Sequence, residues 1–352
     1  MKIHNKWYNF LLKKVNLSAT KEIRRLFPQS KFVVISQKKN SKKMVREIAF
    51  TLGPYLLCTA TNVITLNNTA REWIDSHAEK PLGQFIVEKN LKVDKKTLKK
   101  GSNYRKYSFS GDINSVITEK FYEVQEIKVG AFCAEVLNTV QDEKKAYEFT
   151  KKNKCELYLF PEAYPYSRRA IDRKFPPGTV FGRYSTNGPE MYFTANNKRV
   201  KIHKSTLFAN EKSLTNKVIK PTILNHNNIK IALIVCYDLL NPKISYELSK
   251  SKIDIIMIGA MIPEKDLQKW SNFVYARGTE NQCSVVLCSG RDKRKITNQM
   301  IIHYDPIQEK VNIYKSPKVL SINIGGRLLY SPDVHWSILL KNEVYGPFVE
   351  DY

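Results

Sequence analysis

The stretch KIALIVCYD, residues 230–238, decides the fold of the larger part of this chain. Its apolar, β-branched residues are typical of a buried strand, and the turn at Asn241 and Pro242 leads directly into a helical pattern. Cys236 is therefore predicted at the carboxyl end of a strand, where backbone N–H groups and the positive end of a helix favour the thiolate. The alternative is a small buried side chain, because free cysteines are among the most buried residues.

Strand patterns alternate with helical patterns from about residue 123 to residue 325, which favours a layered α/β domain. The predicted strands are Val124–Phe132, Glu156–Phe160, Glu190–Thr194, Lys198–His203, Ile229–Cys236, Ile253–Ile258 and Ser284–Leu287. The predicted helices are Asp142–Lys152, the segment after Pro242 and Glu264–Asn281, with a loop over Arg173–Tyr184.

Residues 1–122 have a different pattern and are predicted to form a separate domain, whereas residues 326–352 are predicted as an extension. The predicted elements are strands at Phe32–Ser36, Val45–Phe50 and Tyr55–Thr65, a helix at Thr69–His77, a turn and strand over Pro81–Val87, a solvated loop or surface helix over Asn90–Asn103 and strands within 104–122.

Composition excludes several classes of protein. The chain has 352 residues, 42% of them hydrophobic, and no apolar run approaches the roughly 20 residues that a membrane span needs. The start of the chain lacks a secretion signal, and the six cysteines lack metal-ligand spacing, so we expect a cytoplasmic protein without metal or cofactor. The net charge of +25 is spread along the whole chain, which favours a small anionic substrate over nucleic acid.

Three polar residues follow or lie within predicted strands of the second region. Glu162 follows one strand, Lys201 lies in another and Cys236 ends a third. Strand ends of a layered α/β domain meet at one rim, so the carboxylate, ammonium and thiol are expected to converge there. Together they supply a nucleophile, a proton carrier and a cation for the oxyanion, which are the groups that acyl transfer at a carbonyl requires.

These motifs resemble the nitrilase or carbon–nitrogen hydrolase superfamily over residues 124–325. The matching segments are LFPE (159–162), KIH (201–203), VCYD (235–238) and YARGTENQC (275–283). The resemblance implies an α-β-β-α sandwich, Glu162 as general base, Lys201 as the oxyanion-stabilising cation and Cys236 as nucleophile. It further implies Glu211 as an additional catalytic glutamate and Tyr237 as a substrate contact. Lys204 is the alternative for the lysine role, and the interval between the glutamate and the lysine is shorter than is usual in the family.

Residues 7–122 resemble chorismate lyase-like proteins, which implies an antiparallel α+β domain. The matching segments are NFLL (9–12), VREI (45–48), KPLG (80–83), YSFSG (107–111) and ITEKF (117–121). By position, Arg46 would bind a substrate carboxylate and Glu119 would be the buried acid. A second arginine of that family would fall near Ala60 and is absent, so Arg46 as an ordinary residue at the surface of a strand is the alternative.

The sequence therefore predicts a two-domain enzyme that hydrolyses or transfers at a carboxamide-type C–N bond through a thioester on Cys236, with an aromatic acid derivative as a suggested substrate. One alternative is a lyase that forms 4-hydroxybenzoate and pyruvate from chorismate, with the second domain accessory. Another is a non-catalytic protein that binds small acids at two degenerate sites. By resemblance to the nitrilases, a homo-oligomer is expected.

Overall fold

A computed structural model describes residues 7–14, 18–77, 80–135, 140–162, 164–165, 175–185, 188–196, 198–202, 204, 220–291 and 297–326. The chain divides into two compact units. The first runs up to Gln125 and includes Gly325–Leu328, and the second begins at Glu126.

The first unit is built on one antiparallel sheet of six strands in the order β1-β2-β3-β6-β5-β4. The strands are β1 (Lys31–Lys39), β2 (Lys43–Leu52), β3 (Tyr55–Thr65), β4 (Val93–Lys100), β5 (Tyr104–Gly111) and β6 (Ser115–Phe121). The helices are α1 (Asn9–Lys13), α2 (Ala19–Leu26), α3 (Asn68–His77) and α4 (Leu82–Glu88). The antiparallel α+β arrangement predicted for this region is confirmed.

Two elements of the first unit differ from the prediction. The strand predicted up to Val87 is helix α4, whose buried residues Leu82, Phe85 and Ile86 follow helical spacing. The loop or helix predicted over Asn90–Asn103 contains strand β4, which lies at the edge of the sheet. Its lysines hide the strand pattern, since charged side chains are common on edge strands, where they discourage further pairing.

The second unit contains two six-stranded sheets, in the orders β11-β10-β9-β8-β7-β18 and β12-β13-β14-β15-β16-β17. The strands of the first of these sheets are β7 (Val124–Ala131), β8 (Leu157–Leu159), β9 (Thr179–Ser185), β10 (Gly188–Thr194), β11 (Arg199–Ile202) and β18 (Lys318–Gly325). Those of the second are β12 (Thr222–His226), β13 (Ile229–Val235), β14 (Ile255–Ala260), β15 (Ser284–Ser289), β16 (Met300–Asp305) and β17 (Lys310–Tyr314). The helices are α5 (Val140–Lys152), α6 (Pro242–Ser249) and α7 (Leu267–Asn281). Strand β9 occupies part of the segment predicted as a loop.

Side-chain alternation places the layers of the second unit. On β8, Leu157 and Leu159 enter the large core shared by the two sheets, whereas Tyr158 packs on the other face with Ala146 of α5. Helices α6 and α7 pack on each other, and α7 packs on β15 and β16. The order of layers is therefore helix, sheet, sheet, helix, as predicted for an α-β-β-α sandwich.

None of the helices in the described ranges combines the length and the apolar character needed to cross a membrane. Within the same residues, no three His, Cys, Asp or Glu side chains gather closely enough to hold a metal ion.

Candidate functional site

The backbone around Glu162 is placed by close packing against two glycines. Strand β8 ends at Leu159, and Glu162 follows two residues after Phe160. A Cβ on Gly182 would collide with the carbonyl group of Glu162, and one on Gly259 would lie 3.2 Å from the Glu162 backbone nitrogen. These two positions therefore fix how closely β9 and β14 approach the residue that carries the carboxylate.

The Glu162 carboxylate lies beside one ammonium group and one thiol. The Lys204 Nζ donates to Glu162 Oε1 over 3.0 Å, and both side chains are 4% exposed. The Glu162 charge and side chain also act on the pKa of the Cys236 thiol, so the thiol lies beside the same carboxylate. The site thus joins a carboxylate, an ammonium group and a thiol in a buried position.

Cys236 is held in an uncommon backbone conformation. It follows β13, begins a 3-10 turn (Cys236–Leu240) and has a φ of 49°. A positive φ is sparsely populated for residues other than glycine, and such conformations cluster at functional sites when the surrounding structure enforces them. The turn therefore places Cys236 directly after the carboxyl end of β13.

A buried network secures the far end of this turn. Arg277 Nε donates to the Leu239 carbonyl over 2.9 Å, and its Nη1 donates to both Glu280 oxygens at 2.9 Å. The Ser245 hydroxyl donates to Glu280 in turn, so α6, α7 and the turn are tied together. The network anchors the segment that begins at Cys236.

Burial controls the ionisation of the Cys236 thiol. It raises the pKa of the Cys236 thiol well above its ordinary value, and the Glu162 charge and hydrogen bond raise it further. The Lys204 charge and the Met261 backbone N–H act in the opposite direction. The backbone contribution expected from the sequence is present at Met261, but desolvation of the thiolate outweighs it. At rest the sulfur is protonated.

The structure corrects the predicted position of Lys201. Its Nζ donates to Glu190 Oε1 over 2.7 Å, and its side chain is 45% exposed, away from Glu162. Lys201 lies opposite Tyr192 in the pairing of β10 with β11. Lys204, the alternative from the sequence, is the lysine that reaches Glu162.

Strand alternation contains the signal that separates the two lysines. Ile202 is buried whereas Lys201 is exposed, so they lie on opposite faces of β11. Lys204 is two residues after Ile202 and continues on the inner side just beyond the strand. The motif alone identifies a lysine, and the alternation identifies which one.

The remaining residues predicted for this site are only partly described. Tyr237 follows Cys236 and packs edge-on against Trp270, with ring centroids 5.9 Å apart. Burial, followed by the charge of Asp266, raises the pKa of its hydroxyl. Glu211 lies outside the described residues.

In the first unit, Glu119 is buried but already bonded through both oxygens. Arg105 Nε donates to its Oε2 over 2.6 Å, and the Tyr107 hydroxyl donates to its Oε1 over 2.8 Å. Arg105 is fully buried and also donates to the Leu11 carbonyl over 3.1 Å. Sequence reasoning missed Arg105, although its place on β5 directly opposite Glu119 of β6 would follow from correct strand pairing.

Arg46 is fully buried, which excludes the alternative of a surface residue. Its guanidinium lies 4.8 Å from the Trp73 ring and 5.4 Å from the Phe32 ring, and it donates to the Lys80 carbonyl over 3.1 Å. Burial lowers its pKa to about 10. Arg46 is not among the residues that line the cavity that Glu119 lines.

Solved structures that resemble this chain include members of the carbon–nitrogen hydrolase superfamily. One is a CN-hydrolase superfamily protein from Xanthomonas campestris with an arsenic adduct in its active site, at 14% identity and a TM-score of 0.45, covering 62% of this chain and 95% of that one. Another is an amidase from Nesterenkonia sp., at 11% identity and a TM-score of 0.46, covering 61% and 95%. A variant of the Nesterenkonia sp. AN1 amidase in complex with butyramide has 11% identity and a TM-score of 0.47, covering 62% and 96%. No family model and no curated protein matches the chain in sequence.

Proposed function

We propose that the second unit is a cysteine-dependent hydrolase of carboxamide-type C–N bonds. Cys236 is the nucleophile, Glu162 the general base and Lys204 the cation that stabilises the oxyanion. The observation that carries this proposal is one buried carboxylate that contacts both an ammonium group and a thiol. In this assignment Lys204 replaces Lys201, and Glu211 keeps its sequence-based role as a prediction.

The resting protonation state supports general-base catalysis over a preformed thiolate. As the sulfur attacks the carbonyl carbon, the thiol proton moves to the Glu162 carboxylate. The carbonyl oxygen becomes an oxyanion, which the Lys204 ammonium stabilises in a water-poor site. Burial of the thiol thus makes the neighbouring carboxylate necessary for its activation.

The second half of the reaction uses the same three groups. Glu162 gives its proton to the nitrogen, the C–N bond breaks, and ammonia or an amine leaves behind a thioester on Cys236. Water then attacks the thioester as Glu162 takes one of its protons, and the proton returns to the sulfur when the acid departs. Another amine or hydroxylamine in place of water would give acyl transfer.

The test is to incubate the full chain with small aliphatic and aromatic primary amides and to measure ammonia release. Acid quenching followed by peptide mass spectrometry should find the acyl group on Cys236, and hydroxylamine should release it as a hydroxamate. Cys236→Ala should abolish both signals. Cys155→Ala, which removes a partly exposed thiol outside the site, should leave them unchanged. Turnover by Cys236→Ala, or no ammonia release from any amide, would contradict the proposal.

The alternative for the first unit, pyruvate elimination from chorismate, stays a prediction. Glu119 lines a cavity, but both of its oxygens already accept hydrogen bonds within the protein. Formation of 4-hydroxybenzoate that Glu119→Ala abolishes and Cys236→Ala does not would favour it. Binding of small acids without either reaction would favour the non-catalytic alternative.

A further inference from the structure

The first unit contains a partly open cavity of about 180 Å³ between the sheet and two helices. Strands β2 to β6 form its floor, and the start of α2 together with α4 forms its cover. Its walls are mostly apolar. An apolar cavity of about 150 Å³ accommodates a benzene-sized molecule, so this one fits a single ring.

One wall carries a buried acceptor that lacks a donor. The Asn62 side chain is 3% exposed, and no described residue donates a hydrogen bond to its Oδ1. Asn62 lines the cavity. Buried polar atoms are usually satisfied, so an orphaned oxygen at a cavity wall points to a hydroxyl or N–H supplied by a ligand.

The opposite wall carries an amine. Lys95 lines the cavity from β4, and its Nζ lies 4.1 Å from the centroid of the Tyr107 ring. Asn62 lies on β3, with β6 and β5 between it and β4. Strands lie about 4.8 Å apart, so the two strands are about 14 Å apart across the sheet. The Lys95 side chain narrows this separation, because its Nζ reaches the Tyr107 ring on β5.

The surroundings of Lys95 favour its neutral form. Burial, followed by the positive charge of Arg105, lowers the pKa of Lys95 to about 8, and the charge of Glu119 opposes this. Among the described carboxylates, none lies within ion-pair distance of Lys95, and Glu119 is held by Arg105 at 2.6 Å. A desolvated lysine beside a second cation is a known way to obtain a nucleophilic amine.

We propose that Lys95 is an amine that binds carbonyl compounds, and that the first unit takes up a small aromatic aldehyde. The aldehyde forms an imine with Lys95, and its own hydroxyl group donates a hydrogen bond to Asn62 Oδ1. The Nζ lone pair attacks the carbonyl carbon and gives a carbinolamine. The nitrogen then loses its protons, the oxygen leaves as water, and a C=N bond remains. The step consumes one aldehyde, releases one water and needs no oxidant or reductant.

Imine formation can be tested in the full-length protein by reducing the imine with cyanoborohydride. The two probes are 4-hydroxybenzaldehyde, which has the hydroxyl donor, and benzaldehyde, which lacks it. Peptide mass spectrometry compares Lys95 with Lys96, the exposed neighbour on the same strand. Since its lowered pKa leaves far more neutral amine at pH 7.5, Lys95 should be labelled at least about tenfold faster than Lys96. The hydroxylated probe should react faster than benzaldehyde.

Two variants sharpen the result. Lys95→Arg should remove the fast label, and circular dichroism checks that it folds. Asn62→Leu should abolish the preference for 4-hydroxybenzaldehyde. Equal labelling of Lys95 and Lys96 in the wild type overturns the proposal, whether or not the variants fold. If Asn62→Leu still prefers 4-hydroxybenzaldehyde over benzaldehyde, Asn62 Oδ1 does not accept a hydrogen bond from the probe.

Discussion

A buried carboxylate paired with a cation occurs in both units, yet the Glu119 and Glu162 pairs have different chemical character. In the first unit, Glu119 accepts from Arg105 through one oxygen and from Tyr107 through the other. Arg105 is anchored further by the Leu11 carbonyl. Every partner that Glu119 engages is a stable hydrogen-bond donor, and none of them forms a bond to carbon under ordinary conditions. The Arg105–Glu119 pair therefore links β5, β6 and α1 through hydrogen bonds.

In the second unit, the partners of the carboxylate include a group that can react. Glu162 contacts the Lys204 ammonium and the Cys236 thiol, which can give up a proton and attack a carbonyl carbon. The comparison teaches that a buried ion pair does not by itself mark an active site. The two pairs differ in the third group beside the carboxylate, which in the second unit is the Cys236 thiol at the end of β13.

The largest effect is expected from removing the charge of the reactive carboxylate. Glu162→Gln should lower kcat for amide hydrolysis by about 10²–10⁴-fold, because the buried thiol loses its proton acceptor. Glu119→Gln is the matched change in the first unit and should leave kcat unaltered. An equal loss of activity in both variants would contradict the assignment of different roles to Glu162 and Glu119.

Loss of the Arg105–Glu119 pair should lower the stability of the first unit rather than its activity. Arg105→Met leaves the Glu119 carboxylate buried without its cation and should destabilise the first unit by about 3–5 kcal/mol. Hydrogen exchange of the β5 and β6 amides measures this change within one unit. Adding Glu119→Leu to Arg105→Met should recover part of the loss, since the double variant has no unpaired buried charge. If the β5 and β6 amides exchange at the same rate in Arg105→Met as in the wild type, the Arg105–Glu119 pair does not stabilise the first unit.

The two lysines of the KIH region offer a control within a single segment. Lys204→Met should lower kcat by about 10²–10³-fold through loss of oxyanion stabilisation. Lys201→Met removes an exposed ion pair with Glu190 and should change kcat/KM by less than about fivefold, since such pairs contribute up to ~1 kcal/mol. The opposite ranking would return the catalytic role to Lys201.

The smallest effect concerns the pH dependence of Cys236 alkylation by iodoacetamide. The Glu162 charge raises the pKa of the thiol and the Lys204 charge lowers it. Glu162→Gln should therefore shift the alkylation profile to lower pH, and Lys204→Met should shift it to higher pH. Mapping each cysteine by mass spectrometry at several pH values measures both shifts. Profiles that coincide in all three proteins would mean that the charges do not act on the sulfur.

The sequence predicts the parts of the second unit in which apolar runs are long. Strands β13, β14 and β15 consist almost entirely of buried residues, so their pattern needs no knowledge of their neighbours. Glu162 and Cys236 were found because each follows such a run, and strand ends collect at one edge of the sandwich. The position of Cys236, the proposed nucleophile, is therefore a consequence of local pattern and general topology.

Other features depend on information that a motif does not carry. Choosing between Lys201 and Lys204 requires the side of β11 on which each residue falls, and the short strand gives few residues to fix it. The lysines of β4 resemble a solvated loop until the strand is paired with β5. The ionisation of Cys236 depends on burial by distant segments, which no stretch of residues around it encodes.

The protonated state of the buried thiol also has a consequence for chemical durability. Peroxide attacks the thiolate, and oxidation to sulfenic acid follows both thiolate character and exposure. Cys236 is 5% exposed, and burial raises its pKa. The burial that makes the sulfur depend on Glu162 in the proposed mechanism therefore also shields it from oxidants.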